Sequence, residues 1–238
     1  MIGFSSWRDY EKFAASVMNR SRFVLDDECQ QFLSVVRETA HTYAKTIKRG
    51  SILYRAAAHN EWARLKKLER EGKPELNRVL RNLIPSPAKP RRMLPLPERA
   101  TEGRVNPKGI PCLYLATDAH TAMSEMRQWI GSYLTVGEFR LRRQVEIVDM
   151  SVETRDGLYV WYDIGRAFSR PVARSDDRAE YAPTQFIAEA IRAAGFDGIL
   201  YRSAVGEGSN VALFDIASAK LGRRTVHEVR GLRYEFLP

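Results

Sequence analysis

The segment from Gly103 to Glu125 constrains this chain more than any other. It reads Gly103-Arg104-Val105-Asn106-Pro107-Lys108-Gly109, then the apolar run Cys112-Leu113-Tyr114-Leu115-Ala116, then a helical pattern that carries Glu125. Gly, Asn and Pro make a turn, and the apolar run after it suits a buried strand. Helical spacing over 119–130 gives an apolar face of Ala119, Ala122, Met123, Met126, Trp129 and Ile130, with Glu125 on its edge. A carboxylate there is partly desolvated and held in place. Turn, strand and helix together bring a guanidinium, a phenol and a carboxylate toward one cleft. Those groups suit a ligand with phosphates, a flat ring and a ribose.

Upstream, residues 7–19 read as a helix capped by Ser6, with Asp9 as its capping-box partner. A longer helix is expected over 27–48. Asp26 or Asp27 starts it, Gly50 ends it, and Lys45, Lys48 and Arg49 suit its C-terminus. Its apolar stripe is Phe32, Val35, Val36, Tyr43, Ala44 and Ile47. We therefore divide the chain into an N-terminal helical extension, 1–50, and a main body, 51–238. In the body, 51–56 is a strand, 60–71 is helical, and 82–111 is a proline-rich loop. A loop that long in a compact domain suggests a mobile flap, here a basic one with Arg91, Arg92, Arg99 and Arg104. Strands follow at 133–141 and 145–149, and helices at 157–169 and 184–194, the second ending at Gly195. A turn at Gly195–Gly198 enters a strand to Ser203, and the loop Gly206–Ser209 leads to a strand over 210–214. Residues 221–227 and 232–237 suit edge strands.

The composition narrows the partners. No apolar run approaches the ~20 residues needed to span a bilayer. The first residues lack the basic and apolar blocks of a secretory signal, so we expect a cytoplasmic protein with two structural thiols, Cys29 and Cys112. The net charge of +9 favours polyanionic partners, but the basic residues are spread along the chain rather than set in a stripe with aromatics, which argues against a nucleic-acid surface. The four histidines are isolated, so no metal site is expected. There is no GxGxxG, GxxxxGK[ST] or GxSxG motif, which argues against a Rossmann domain, a P-loop and a hydrolase elbow. Ser–His or Cys–His catalysis stays open.

Several residues admit two readings. Arg55, inside an apolar strand, needs an anion: a core acid, or a diphosphate gripped bidentately. Arg104 either ties its own turn or reaches a ligand. Tyr114 is either core or the wall of a pocket for a planar ring. Ser203 either bonds the backbone or holds a sugar hydroxyl, and Asn210 either fixes the preceding loop or joins the same site.

Taken in order, these pieces resemble the RES domain family. The signature is Tyr54-Arg55, the stretch 103–111, Leu113-Tyr114-Leu115-Ala116, Thr121-Ala122, Glu125, Thr184-Gln185, the stretch 198–203, and Asn210 to Phe214. It covers residues 51–216. The resemblance implies an α+β fold similar to ADP-ribosylating toxins, with a split, mixed β core and surrounding helices. It implies NAD as substrate, with cleavage of the nicotinamide–ribose bond by a glycohydrolase or phosphorylase, commonly the toxin of a bacterial toxin–antitoxin pair. By position it places catalysis on Glu125 and Arg55, and NAD binding on Arg55, Arg104, Tyr114, Ser203 and Asn210. Water, phosphate or a protein is the acceptor, and an antitoxin is the implied partner. A protein ADP-ribosyltransferase on the same site is the alternative. A non-enzymatic basic nucleic-acid regulator ranks below both. Ala56 stands where many relatives carry an aromatic, and the stretch between Arg55 and Arg104 is long.

Overall fold

The computed structural model describes residues 3–20, 22–59, 85–96, 100–152, 159–171 and 178–233. The helical stretch expected at 60–71 lies outside them, as do 82–84, Arg99 and most of 232–237. The core is one mixed sheet of eight strands: β1 (Ala44–Ile47), β2 (Ile52–Ala58), β3 (Leu113–Ala116), β4 (Tyr133–Leu141), β5 (Val145–Asp149), β6 (Gly198–Arg202), β7 (Ser209–Leu213) and β8 (Ala219–Glu228). Their order across the sheet is β1-β5-β6-β7-β3-β2-β4-β8. Only β5 and β6 run parallel; every other neighbouring pair is antiparallel.

The sheet is two halves joined at one seam. β2 follows β4 in register from Ile52↔Arg140 to Ala58↔Leu134, and β3 follows β7 from Leu113↔Leu213 to Ala116↔Asn210. Between β2 and β3 only Tyr54↔Ala116 is paired. Beyond that pair the strands part. This is the split, mixed α+β core that the resemblance implied.

Helices α1 (Asp9–Asn19) and α2 (Asp27–Thr39) pack with α5 (Tyr159–Ser169) and α6 (Ala182–Ala193) over one side of the sheet. Phe13, Phe32, Trp161, Phe168 and Ile191 fill the space between. Asp9 accepts the Ser5 and Ser6 N–H groups as the expected capping-box partner, but Ser6 does not cap α1: its Oγ takes the Arg8 N–H and the helix starts at Asp9. Asp26 caps α2 through Cys29 N–H at 2.8 Å. The expected helix over 27–48 stops early, however. It ends at Thr39, passes through a 3₁₀ turn, and residues 44–47 form β1 against β5. Tyr43 is buried on Trp161, whereas Ala44 is exposed. β-branched Thr46 and Ile47 suit the strand, and Lys45 reaches the buried carboxylate of Asp149 at 2.6 Å. The sheet thus takes its edge strand from within residues 1–50. The described part of the expected flap is anchored: α3 (Pro90–Met93) buries Met93, and Ala88 is held by Thr135 Oγ1 and by Arg224.

Two of these ties respond to pH. Burial disfavours the Asp149 carboxylate, but hydrogen bonds from Lys45 and Ser151 outweigh it, and the carboxyl sits below its usual range. Asp197 behaves alike, with burial overcome by Arg143 and the Glu146 N–H. Both folded values lie below the unfolded one. Their stabilisation is therefore whole above about pH 4 and is lost as pH falls through the folded values. Urea midpoints at pH 7, 4 and 3 should fall for the parent chain and fall less for Asp149→Asn. Parallel curves would refute this account.

Candidate active site

Glu125 follows α4 (Ala119–Ser124), a helix capped at its start by Asp118 on Thr121 N–H at 2.7 Å. The expected helix over 119–130 is thus shorter than the apolar spacing suggests. Arg127 takes a left-handed φ of 48°, which ends it, and Trp129 and Ile130 are 71% and 63% exposed rather than buried. Glu125 is the helix C-cap, not part of a long apolar stripe. Ala122 packs α4 on Ala56, Ala116 and Val136, placing it across the seam between the sheet halves.

Two donors hold the Glu125 carboxylate. Ser203 Oγ donates to Oε1 at 2.7 Å and Asn210 Nδ2 donates to the same oxygen at 2.6 Å. Ser203 Oγ itself accepts from Gly206 N–H and Val205 N–H, so its proton points to Glu125. Both bonds end on Oε1. Oε2 has no hydrogen-bond partner among the described residues. The β6–β7 hairpin carries both donors and presses close on α4. A Cβ at Gly206 would lie 2.8 Å from Thr121 Oγ1 and 3.0 Å from its Cα. Gly208 N–H donates to Thr121 Oγ1 at 3.0 Å. The Gly-rich loop is there because a side chain would push the hairpin off the helix.

The turn before β3 is tied from inside. Asn106 is 3% exposed. Its Nδ2 faces the carbonyls of Thr101, Pro107 and Ile110, and its Oδ1 accepts from Tyr114 Oη at 2.7 Å. Tyr114 Oη in turn accepts Val105 N–H, and Gln185 Nε2 donates to the Gly103 and Asn106 carbonyls. A Cβ at Gly103 would sit 2.5 Å from that same Oη. Burial pushes the Tyr114 phenol well up, with Cys112 and Tyr201 acting in the same sense, so the ring stays neutral. Arg104 donates through Nη1 to the Phe168 carbonyl at 2.6 Å. The Tyr201 phenol is also raised by burial; Arg104 opposes that shift and Glu125 adds to it.

Arg55 stands one residue from the seam pair. It lines a cavity of about 340 Å³ with Asn106, Cys112 and Tyr114 across the gap and Arg91 and Arg92 from α3. Its Nη1 is buried with no hydrogen-bond partner among the described residues. Burial lowers its pKa, while Cys112 and Tyr114 oppose that shift. No acid among the described residues pairs with it. Burial also pushes the Cys112 thiol up to about 12, which makes it inert.

The structure joins Glu125, Ser203 and Asn210 directly, whereas the Arg104 guanidinium is tied to the Phe168 carbonyl. Arg55 and Tyr114 share a cavity that Glu125 does not line. The strands that carry both groups nonetheless border the seam. Asn210, Ala116 and Tyr54 lie in one row across β7, β3 and β2, two strand spacings or roughly 10 Å. Sequence reasoning named Asn106, Thr121 and Tyr201 only within the signature and Arg91 only in the basic flap, and gave none of them a role in the site. The signal for Asn106 was its place in the Gly–Asn–Pro turn; Tyr201, two residues before Ser203 in a strand, shares that residue's face. Among the described residues, no three His, Cys, Asp or Glu side chains converge, and no helix is long and apolar enough to cross a membrane.

A model of the RES domain matches residues 76–236 of the chain, which leaves Arg55 outside the matched span. No curated protein matches. A solved structure, the M. tuberculosis MbcT–MbcA toxin–antitoxin complex, superposes with a TM-score of 0.46 at 13% identity, covering 81% of this chain and 92% of the matched chain.

Proposed function

The chain belongs to the RES domain family, and from that membership and the surroundings of Glu125 we propose that it is an enzyme that cleaves the nicotinamide–ribose bond of NAD. The observation that carries this reading is the carboxylate of Glu125. One oxygen is held by two donors, and the other is left to accept. In cleavage the C1–N bond breaks and its electron pair leaves with nicotinamide. Positive charge then spreads over C1 and the ring oxygen of the ribose. Oε2 accepts from a ribose hydroxyl and its charge stabilises that cation. Water or phosphate then adds to C1 and gives up its proton to solvent. Ser203 and Asn210 are positioning residues in this scheme, because the Ser203 proton and one Asn210 N–H are spent on Glu125. Arg55, whose buried Nη1 has no partner among the described residues, grips the diphosphate, with Arg104 second, and the Tyr114 ring packs the flat base. The setting we propose is a bacterial toxin held in check by an antitoxin.

Incubating the purified chain with NAD, with and without phosphate, tests this directly. Nicotinamide should appear, paired with ADP-ribose or, with phosphate, ADP-ribose 1″-phosphate. Intact NAD would sink the proposal, and label transferred to protein would point to ADP-ribosyl transfer on the same site. Asn210→Leu removes one charge-assisted donor from Oε1. Such a bond is worth about 1.5–3 kcal/mol, so kcat should fall about 10–100-fold while KM changes little. A KM effect alone would instead make Asn210 a substrate contact.

A further inference from the structure

The cavity at Arg55 carries more positive charge than a diphosphate calls for. Arg91 and Arg92 line it too, and no carboxylate occurs among the described residues that line it. Arg91 makes no hydrogen bond or ion pair with a described residue. Arg92 donates through Nη2 to the Ala58 carbonyl at 2.9 Å, which fixes it beside β2. Ala58 lies three residues along β2 from Arg55, roughly 10 Å farther from the seam pair. Arg92 is thus held along β2 from Arg55, in a cavity that Glu125 does not line. Both arginines sit in the anchored segment behind Met93, so their place is set by the core.

A dinucleotide with its nicotinamide ribose at Glu125 and its diphosphate at Arg55 continues toward Arg91 and Arg92 with its adenosine half. A site that reads an unmodified adenosine ribose places a carboxylate on the 2′-hydroxyl, whereas arginine accommodates a 2′-phosphate. Guanidinium forks match the oxygens of a phosphate monoester, and its charge answers the surplus cations. We propose that the Arg91–Arg92 end of the cavity is a 2′-phosphate site and that NADP is the preferred dinucleotide. This rests on the proposed NAD-type cleavage and names its substrate more closely.

The test has two arms. In the first, nicotinamide release from NADP and from NAD is compared at fixed ionic strength. kcat/KM for NADP should exceed that for NAD about tenfold or more, as one or two charge-assisted contacts allow. Arg91→Ala, and Arg91→Ala with Arg92→Ala, should lower that ratio about fivefold or more, chiefly through KM for NADP. Arg37→Ala, exposed on α2, removes the same charge elsewhere and should leave the ratio alone. Equal efficiencies in the parent chain, or a ratio the double substitution does not move, overturn the proposal. In the second arm, adenosine 2′,5′-bisphosphate should raise the melting temperature more than AMP does, and the double variant should lose the difference. Equal shifts overturn it. That fragment lacks nicotinamide, so this arm reads the basic end alone. Fragment selectivity without cleavage of either dinucleotide would refute the cleavage reaction and leave the phosphate site standing.

Discussion

Glu125→Gln lowers the rate of nicotinamide release by about 10²–10³, the usual worth of one electrostatic stabiliser aimed at developing charge. Glutamine has the same shape. Its amide oxygen still accepts from Ser203 and Asn210, so the ties across the seam survive and the melting temperature stays near that of the parent chain. What changes is the other atom. Oε2, an acceptor with negative charge, becomes an NH₂ group that donates and repels a cation forming on the ribose. The loss therefore falls on kcat, with the affinity for intact dinucleotide little altered. Initial rates and thermal melts on the two proteins decide it. Undiminished turnover would remove Glu125 from the chemistry. A collapse in melting temperature with equal loss of activity would make it a structural tie between hairpin and helix.

Arg55→Met should separate stability from function in opposite directions. Methionine matches the length of the arginine stem and fills the strand position without charge. The native guanidinium has a buried Nη1 with no acceptor among the described residues, a cost the fold carries without ligand. Removing such a group stabilises the fold by about 1–2 kcal/mol. The same change strips the diphosphate of its buried cation, and KM for the dinucleotide should rise about 10–100-fold. Tyr114→Phe is the contrast. Its hydroxyl is occupied by Asn106 and Val105, so its loss loosens the turn and alters KM less. A destabilised Arg55→Met, or equal KM effects in the two variants, would show that Arg55 serves the fold.

Residues 44–47 and 119–130 show where local pattern misleads. Apolar spacing ran on through both, and in both the helix ended where a longer-range partner took over: β5 and Asp149 for the first, the seam and its hairpin for the second. Trp129 and Ile130 matched a helical face that the backbone never forms, because Arg127 turns left-handed before reaching them. The Asp26 cap and the Asp9 bond to Ser6 N–H were legible, since a side chain bonding an N–H three residues away needs no distant structure. The turn at 103–109 was legible for the same reason, as its Gly, Asn and Pro restrict their own backbone.

What the amino-acid order determined by itself is the set of parts: strands, capped helix starts, a tied turn, and an ordered array of Arg55, Arg104, Tyr114, Glu125, Ser203 and Asn210 that resembles one family. The division of labour among them came only with the tertiary structure. Ser203 and Asn210 stand 78 and 85 residues from Glu125, and nothing local says that both would bond one oxygen and leave the other open. Nor does anything local bring Arg91 to the cavity of Arg55, or leave the Arg55 Nη1 without a partner among the described residues. Short-range rules act through neighbouring backbone, whereas the charge of a site is the sum over groups that meet only when the sheet halves close at Tyr54 and Ala116.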